Sequence, residues 1–219
     1  MKRETGIHLL TFAVLVTGVA CSRDAGTGAT AAPAPAAAPA TATPSAAPAA
    51  AAAKPFDRTF ELQGVQFHVT TATVDGTRMV RIEPSGLEID NDPVEREIDG
   101  HLVDGDIGDL DVDGSPEIYL FVKSDDEAAR GSLVAYAANQ RKSLSEIYLP
   151  PMDQTEGATE GYQGHDEFAV VENVIARRFP IVAGTGADAK PEAKTRQLQY
   201  KLARGEAGFV LRVDRVVEY

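Results

Sequence analysis

Ile118-Tyr119-Leu120-Phe121-Val122 is an unbroken apolar run in which the Tyr119 hydroxyl is the only polar side-chain group. The density of the run suits a central strand covered on both faces. Working outward, Ser132-Leu133-Val134-Ala135-Tyr136 and Ile147-Tyr148-Leu149, the latter stopped by Pro150-Pro151, give two more strands. Upstream, Phe60-Glu61-Leu62 leads to Val65-Gln66-Phe67-His68-Val69-Thr70, which alternates apolar and polar with period two. After Asp75-Gly76 the alternation resumes in Met79-Val80-Arg81-Ile82-Glu83, so these two runs form a hairpin. Downstream come Phe168-Ala169-Val170-Val171, the run from Ile175 to Phe179, and a closing hairpin. That hairpin joins Leu198-Gln199-Tyr200-Lys201-Leu202 to Phe209-Val210-Leu211-Arg212-Val213 across Gly205. Many short strands at turn-sized spacing predict an all-β domain, an antiparallel β-sandwich or barrel. Helix is confined to a turn or two around residues 153–161.

Immediately before the central run stands Asp109-Leu110-Asp111-Val112-Asp113-Gly114-Ser115-Pro116-Glu117. Oxygens at alternate positions and a glycine at the sixth match the front of a calcium loop. An EF-hand needs a bidentate Glu at position twelve, and that position is Leu120, inside a strand. The acidic ninth position followed by a strand looks more like the hairpin calcium loops of integrin-type repeats. The ligands would then be Asp109, Asp111, Asp113 and Glu117 with the Ser115 carbonyl. Crowded carboxylates repel unless a cation or hydrogen-bond donors neutralise them. An Asp-Gly turn whose carboxylates cap backbone N–H groups explains the same residues without a metal, and both readings stand at this point.

Other chemistry is sparser. His101 and Gly164-His165-Asp166-Glu167 put histidine beside acids, yet each histidine is isolated, whereas a metal site wants two or more imidazole or thiolate ligands. His165 is expected to anchor a loop by a hydrogen bond. No nucleophile elbow, His-Glu-x-x-His or phosphate loop is present, so no enzyme is expected and no cofactor beyond calcium is implied. A hydrolase using His165 and Asp166 is the outlying alternative. Ser124-Asp125-Asp126-Glu127-Ala128-Ala129-Arg130 is a polar, flexible connection at a sheet end, where a rigid sandwich carries recognition residues. Among the tyrosines, Tyr119 and Tyr136 fall in strand patterns, while Tyr162, between Gly161 and Gln163-Gly164, is expected to be exposed and to join the recognition surface.

The N-terminal stretch sets an expectation of where such a domain works. Lys2 and Arg3 precede the apolar run from Leu9 to Val16, too short to span a bilayer, and small residues lead to Cys21, the sole cysteine. Residues 1–20 read as a signal peptide. The cysteine at its end resembles the lipobox of bacterial lipoproteins, with Gly18 where Leu is usual; Cys21 would carry the lipid. Residues 21–55 are rich in Ala, Pro, Thr, Gly and Ser. They have little to bury, and their prolines break any helix. They read as a disordered tether that, stretched at ~3.1 Å per residue, reaches on the order of 90 Å. The folded domain is residues 56–219. Of 21 basic and 33 acidic residues, four and two lie in 1–55, leaving 17 and 31 in the domain. That excess disfavours nucleic acid and anionic lipid surfaces as partners and suits a basic protein or a cation, although acidity also serves solubility. An exposed edge strand would let two copies pair.

Several longer words resemble the periplasmic inhibitors of invertebrate-type (i-type) lysozyme. They are Pro84-Ser85-Gly86-Leu87-Glu88-Ile89-Asp90-Asn91, Ile98-Asp99-Gly100, Asp113-Gly114-Ser115-Pro116-Glu117-Ile118-Tyr119, Gly131-Ser132-Leu133-Val134-Ala135-Tyr136, Lys142-Ser143-Leu144-Ser145-Glu146-Ile147-Tyr148-Leu149-Pro150-Pro151 and Gly164-His165-Asp166-Glu167-Phe168-Ala169-Val170-Val171. The resemblance covers nearly all of residues 56–215. It implies a β-sandwich that binds a secreted lysozyme, blocks its substrate cleft with an inserted loop and works in the periplasm, here lipid-anchored to the outer membrane. In that family a Ser-Gly-x-Tyr-like run just before the Gly-Ser-Leu-Val-Ala-Tyr word enters the cleft. Here Glu127 and Arg130 occupy the serine and tyrosine positions, so those two side-chain roles do not carry over. In their place the Arg130 guanidinium is expected to pair with a catalytic carboxylate of the lysozyme, while Asp125, Asp126 and Glu127 meet basic residues at the cleft rim. Ser124 and Tyr162 complete the expected contact set. The alternative is a calcium-stabilised envelope lipoprotein module with a structural or adhesive role.

Overall fold

Twelve strands and one 3-10 turn make up the fold among the described residues. The structure, a computed structural model, describes residues 54–183, 190–206 and 208–219, and for 182–183 and 190–193 the backbone alone. Signal peptide, Cys21 and nearly all of the tether lie outside the described residues. The chain divides after Ala49, and the fold belongs to the unit that follows. Among the described residues no helix is long and apolar enough to cross a membrane.

Strands β1 (Asp57–Leu62), β2 (Val65–Val74), β3 (Thr77–Ser85) and β4 (Val94–Glu97) form an antiparallel four-stranded sheet in that order. The predicted Asp75-Gly76 turn joins β2 to β3 with φ of 50° and 83°. Two positive φ values match the right-handed strand twist, which is why Asp-Gly serves there. The second sheet has eight strands: β5 (His101–Gly108), β6 (Glu117–Lys123), β7 (Gly131–Asn139), β8 (Ser143–Tyr148), β9 (Glu167–Val171), β10 (Val174–Ala183), β11 (Lys190–Arg204) and β12 (Phe209–Glu218). Their order is β5-β6-β7-β8-β12-β11-β10-β9. Every pairing is antiparallel except β8 with β12, which run parallel over Ile147↔Phe209 and Tyr148↔Val210. The ends of the order, β5 and β9, approach each other, so the larger sheet curls back on itself.

β6 explains the unbroken apolar run. Ile118, Leu120 and Val122 pack with Phe60, Val65, Phe67, Val69, Val80 and Ile82 of the small sheet. Tyr119 and Phe121 point the other way, into a core with Phe179, Leu198, Tyr200, Phe209 and Leu211 inside the curled sheet. A strand between two cores has no face left for polar residues. Each such side chain removed from water contributes roughly 1.5–3 kcal/mol. Ion pairs stitch the rim between the sheets: Arg58 to Asp104 at 2.7 Å and Arg96 to Glu146.

The expected helical turns reduce to one 3-10 turn at Met152–Gln154, followed by turns to residue 162. Arg196, buried on β11, holds that segment by donating to the Ala158 and Glu160 carbonyls.

Candidate functional site

Residues 124–130 connect β6 to β7. They are expected to be flexible; in the structure hydrogen bonds tie the loop's two ends together from within. The Ser124 N–H donates to the Arg130 carbonyl at 2.8 Å, and the Arg130 N–H returns to the Ser124 hydroxyl at 2.7 Å. That hydroxyl donates to Asp126 Oδ1 at 2.7 Å, and Arg130 Nη1 donates to Asp126 Oδ2 at 2.7 Å. The Ser124 hydroxyl first, then Arg130, hold the Asp126 carboxyl below the usual range. Asp125 faces away from the loop: His101 Nδ1 lies 2.9 Å from its Oδ1, and Arg78 donates to Oδ2. His101 and then Arg78 lower its pKa in turn. Glu127, at the tip, is exposed and makes no side-chain hydrogen bond or ion pair among the described residues.

A second segment, residues 161–166, locks against this loop. The His165 N–H donates to the Ala128 carbonyl at 2.7 Å. At Gly164, with φ +100°, a Cβ would lie 2.0 Å from that same oxygen, so the approach demands glycine. Between the two segments opens a cleft of about 630 Å3, lined in part by Glu127, Arg130, Tyr162, Gln163 and His165. His165 thus anchors the loop, but through its backbone. The expected exposure of Tyr162 is also corrected. Its ring is half-buried and meets Phe179 edge-on at 4.8 Å, and its hydroxyl donates to Asp166 Oδ2 at 2.6 Å. Burial first, then the Asp166 carboxylate, push that phenol up to about 12.

Beneath the cleft lies an ion pair that the sequence reading does not identify. Asp166 and Arg177 are both buried, with Arg177 Nε donating to Asp166 Oδ1 at 2.6 Å. Asp166 Oδ2 also accepts from the Gly131 N–H at 2.8 Å. Arg177 Nη2 donates to the Gly131 carbonyl at 3.2 Å and to the Tyr162 oxygen at 3.1 Å. The signal in the sequence is parity: Arg177 shares its strand face with Ile175 and Phe179, so a charge is carried inward and needs a partner. Both Asp166 oxygens are engaged by these groups and neither by His165, so the His165–Asp166 pairing of the hydrolase alternative is not made.

The acidic loop assembles as its spacing suggests. One ligand atom from each of Asp109, Asp111, Asp113 and Glu117 lies within 4.8 Å of the others. Part of the cluster caps the loop. Asp109 accepts from the Asp113 and Gly114 N–H groups, each at 3.0 Å, and from Gln63 at 2.8 Å. Asp113 accepts from the Ser115 N–H at 2.9 Å and from Arg204 at 3.2 Å. The other two carboxylates are less well served. Glu117 is buried and accepts from the Leu110 N–H and the Tyr119 hydroxyl; burial pushes it up to about 8. Asp111 Oδ1 is buried with no hydrogen-bond partner, and burial, then Asp113 and Asp109, raise its carboxyl. Carboxylate oxygens are the donors a hard divalent cation takes, and these four would supply part of its coordination shell.

No protein-family model matches the chain, and neither does any curated protein or solved structure.

Proposed function

We propose that the domain is a protein-binding inhibitor of a secreted lysozyme, of the i-type by its sequence resemblance, and obstructs the enzyme's substrate cleft with the β6–β7 loop. The observation that carries the reading is the braced loop beside an open cleft. A loop fixed before encounter loses little entropy on binding, and this one presents an unpartnered carboxylate, Glu127, next to the half-exposed Arg130 guanidinium. Asp126 engages Arg130 Nη1 and pre-orients the group. A glycosidase cleft works through two carboxylates, and a guanidinium pairs with a carboxylate in a bidentate fork. Export by the N-terminal signal and lipid attachment at Cys21 would hold the inhibitor at the outer membrane, in the path of incoming enzyme.

The test is binding and inhibition of i-, c- and g-type lysozymes by the purified protein. At least one class is inhibited, and Arg130→Ala weakens inhibition about tenfold or more, the value of a charge-assisted hydrogen bond. Lys142→Ala, remote from the loop, changes it little. Equal losses in the two variants remove Arg130 from the contact; no affinity for any class removes the reading.

A second reading, a calcium-stabilised envelope module with a structural or adhesive role, draws support from the buried, unpartnered Asp111 Oδ1 within the four-carboxylate cluster. Asp109, Asp111, Asp113 and Glu117 would hold the ion. Calcium at a hundredfold excess over its dissociation constant then adds about 2.7 kcal/mol. The melting temperature of the wild type rises with calcium and falls with chelator, and Asp111→Asn and Glu117→Gln abolish the response. A melt indifferent to calcium leaves the cluster as a capped turn.

A further inference from the structure

We infer that the Asp166–Arg177 pair is a positioning pair for the β6–β7 loop: it fixes the loop's root at Gly131 against the 161–166 segment and so keeps the cleft between them open. The inference rests on the proposal that this loop meets the partner.

The first argument is energetic. Both side chains are buried, and the desolvation of such a pair commonly equals or exceeds its attraction, so apolar residues of similar volume often do as well or better for stability. The second is where the hydrogen bonds go. Apart from the bond between the two charges, they run to the Gly131 N–H, the Gly131 carbonyl and the Tyr162 hydroxyl. Gly131 is the first residue of β7, where the loop ends, and Tyr162 lies near the start of the segment that faces the loop. One pair thus grips both walls of the cleft.

The third argument is steric. A Cβ at Gly131 would stand 2.6 Å from Asp166 Cβ and 2.7 Å from the Phe168 ring, so the loop's root is seated directly on the pair. The guanidinium lies over the Phe168 ring at 5.2 Å and the Tyr162 ring at 5.5 Å. Phe168 stacks in turn on Phe121 of β6 at 5.9 Å. The pair is seated from below on the strand from which the loop departs.

The deciding variant of the full chain is Asp166→Asn with Arg177→Met, which removes both charges together and leaves no unpaired ion. Amide hydrogen exchange and thermal melting are measured on it and on the wild type. The inference requires a melting temperature within a few degrees of wild type, with exchange about tenfold faster at Arg130, Gly131 and His165, the loss expected for a hydrogen bond to a charged group. The amides of β2 and β3 keep their rates. Tyr162→Phe, which removes only the hydroxyl, raises exchange at His165 and leaves the Asp166–Arg177 pair in place. Unchanged loop exchange overturns the inference. So does a double variant that fails to fold, or one whose exchange rises evenly through β2, β3 and β6, since the pair is then ordinary core support. Lysozyme titration runs in parallel: a wild type that binds no lysozyme defeats the proposed function, while the exchange data still judge the pair.

Discussion

Gly164 concentrates the geometry of the candidate site in one residue. Its φ of +100° already disfavours any side chain, and the Ala128 carbonyl fills the space where a Cβ would go. Gly157 offers the contrast, because its φ of +72° carries the same conformational preference with nothing within 4 Å. Gly157→Ala therefore meets backbone strain alone, about 1–2 kcal/mol. Gly164→Ala adds an overlap that parts the two walls of the cleft. Thermal melts of the two variants should place Gly164→Ala lower by several degrees, given ~2–4 °C per kcal/mol for a domain of this size. Partner binding should fall with it and survive Gly157→Ala. At this scale the sequence is readable where a residue has one physical use. The acids at 109, 111, 113 and 117 converge because their spacing forces it. Tyr162 is misread because a tyrosine between glycines looks exposed, and nothing local announces that Asp166 and Arg177 lie beneath it.

Among the elements, β5 and the short β4, neither anticipated from the sequence, are the least legible strands and the β2–β3 hairpin the most. β5 carries a bulge between Leu102 and Asp104 that leaves Val103 exposed and breaks the alternation a strand is recognised by. At Gly105 a Cβ would lie 2.8 Å from Leu120 and 3.0 Å from Phe60, so a side chain there would displace the ends of those two, a constraint set by other strands. The turn between β7 and β8 is similarly silent, with Gln140 and Arg141 at positive φ in place of glycine. In the small sheet, alternation is clean, and its outer face carries a charge ladder across all four strands. His68 lies 2.9 Å from Asp57 and 3.3 Å from Glu83, while Arg81 bonds Glu83 at 2.8 Å and Glu95 at 2.6 Å. Asp57 and then Glu83 raise His68 above 6.5; Arg81 and then His68 lower Glu83 below 4.5. The His68 contribution is complete below pH 6.5 and lost as pH rises through its folded value. The Glu83 contribution is present above pH 4.5 and lost as pH falls through its folded value. The ladder thus stabilises the sheet most between about pH 4.5 and 6.5. Melting temperatures from pH 6 to about 8.5 should show a small decline in wild type that His68→Gln lacks. Parallel curves for the two proteins would remove the histidine from the balance.

For the whole molecule, charge would govern how the proposed partner arrives. The chain carries a formal net charge of −12 at neutral pH, and the folded domain holds 31 of its 33 acidic residues. Many of the domain's cations are already committed to ion pairs: Arg58 to Asp104, Arg81 to Glu83 and Glu95, Arg177 to Asp166, Arg196 to Glu218 and Arg204 to Asp113. What remains facing solvent is an excess of carboxylates, Glu127 at the loop tip among them. Such a field attracts a strongly basic protein over distances comparable to the Debye length, about 8 Å at physiological salt and ~30 Å at 0.01 M. Its effect falls on the association rate, whereas the braced contact made after docking governs dissociation. Association with a basic lysozyme should therefore slow by about tenfold or more between ~0.02 and ~0.5 M salt, while the dissociation rate changes far less. Glu127→Gln should weaken the salt dependence slightly, removing one charge from many, yet raise the dissociation rate if the loop tip is in the contact. Stopped-flow or surface-based kinetics across that salt series separate the two effects. An association rate indifferent to salt would mean that the acidity serves solubility alone, and that the partner is not selected by its charge.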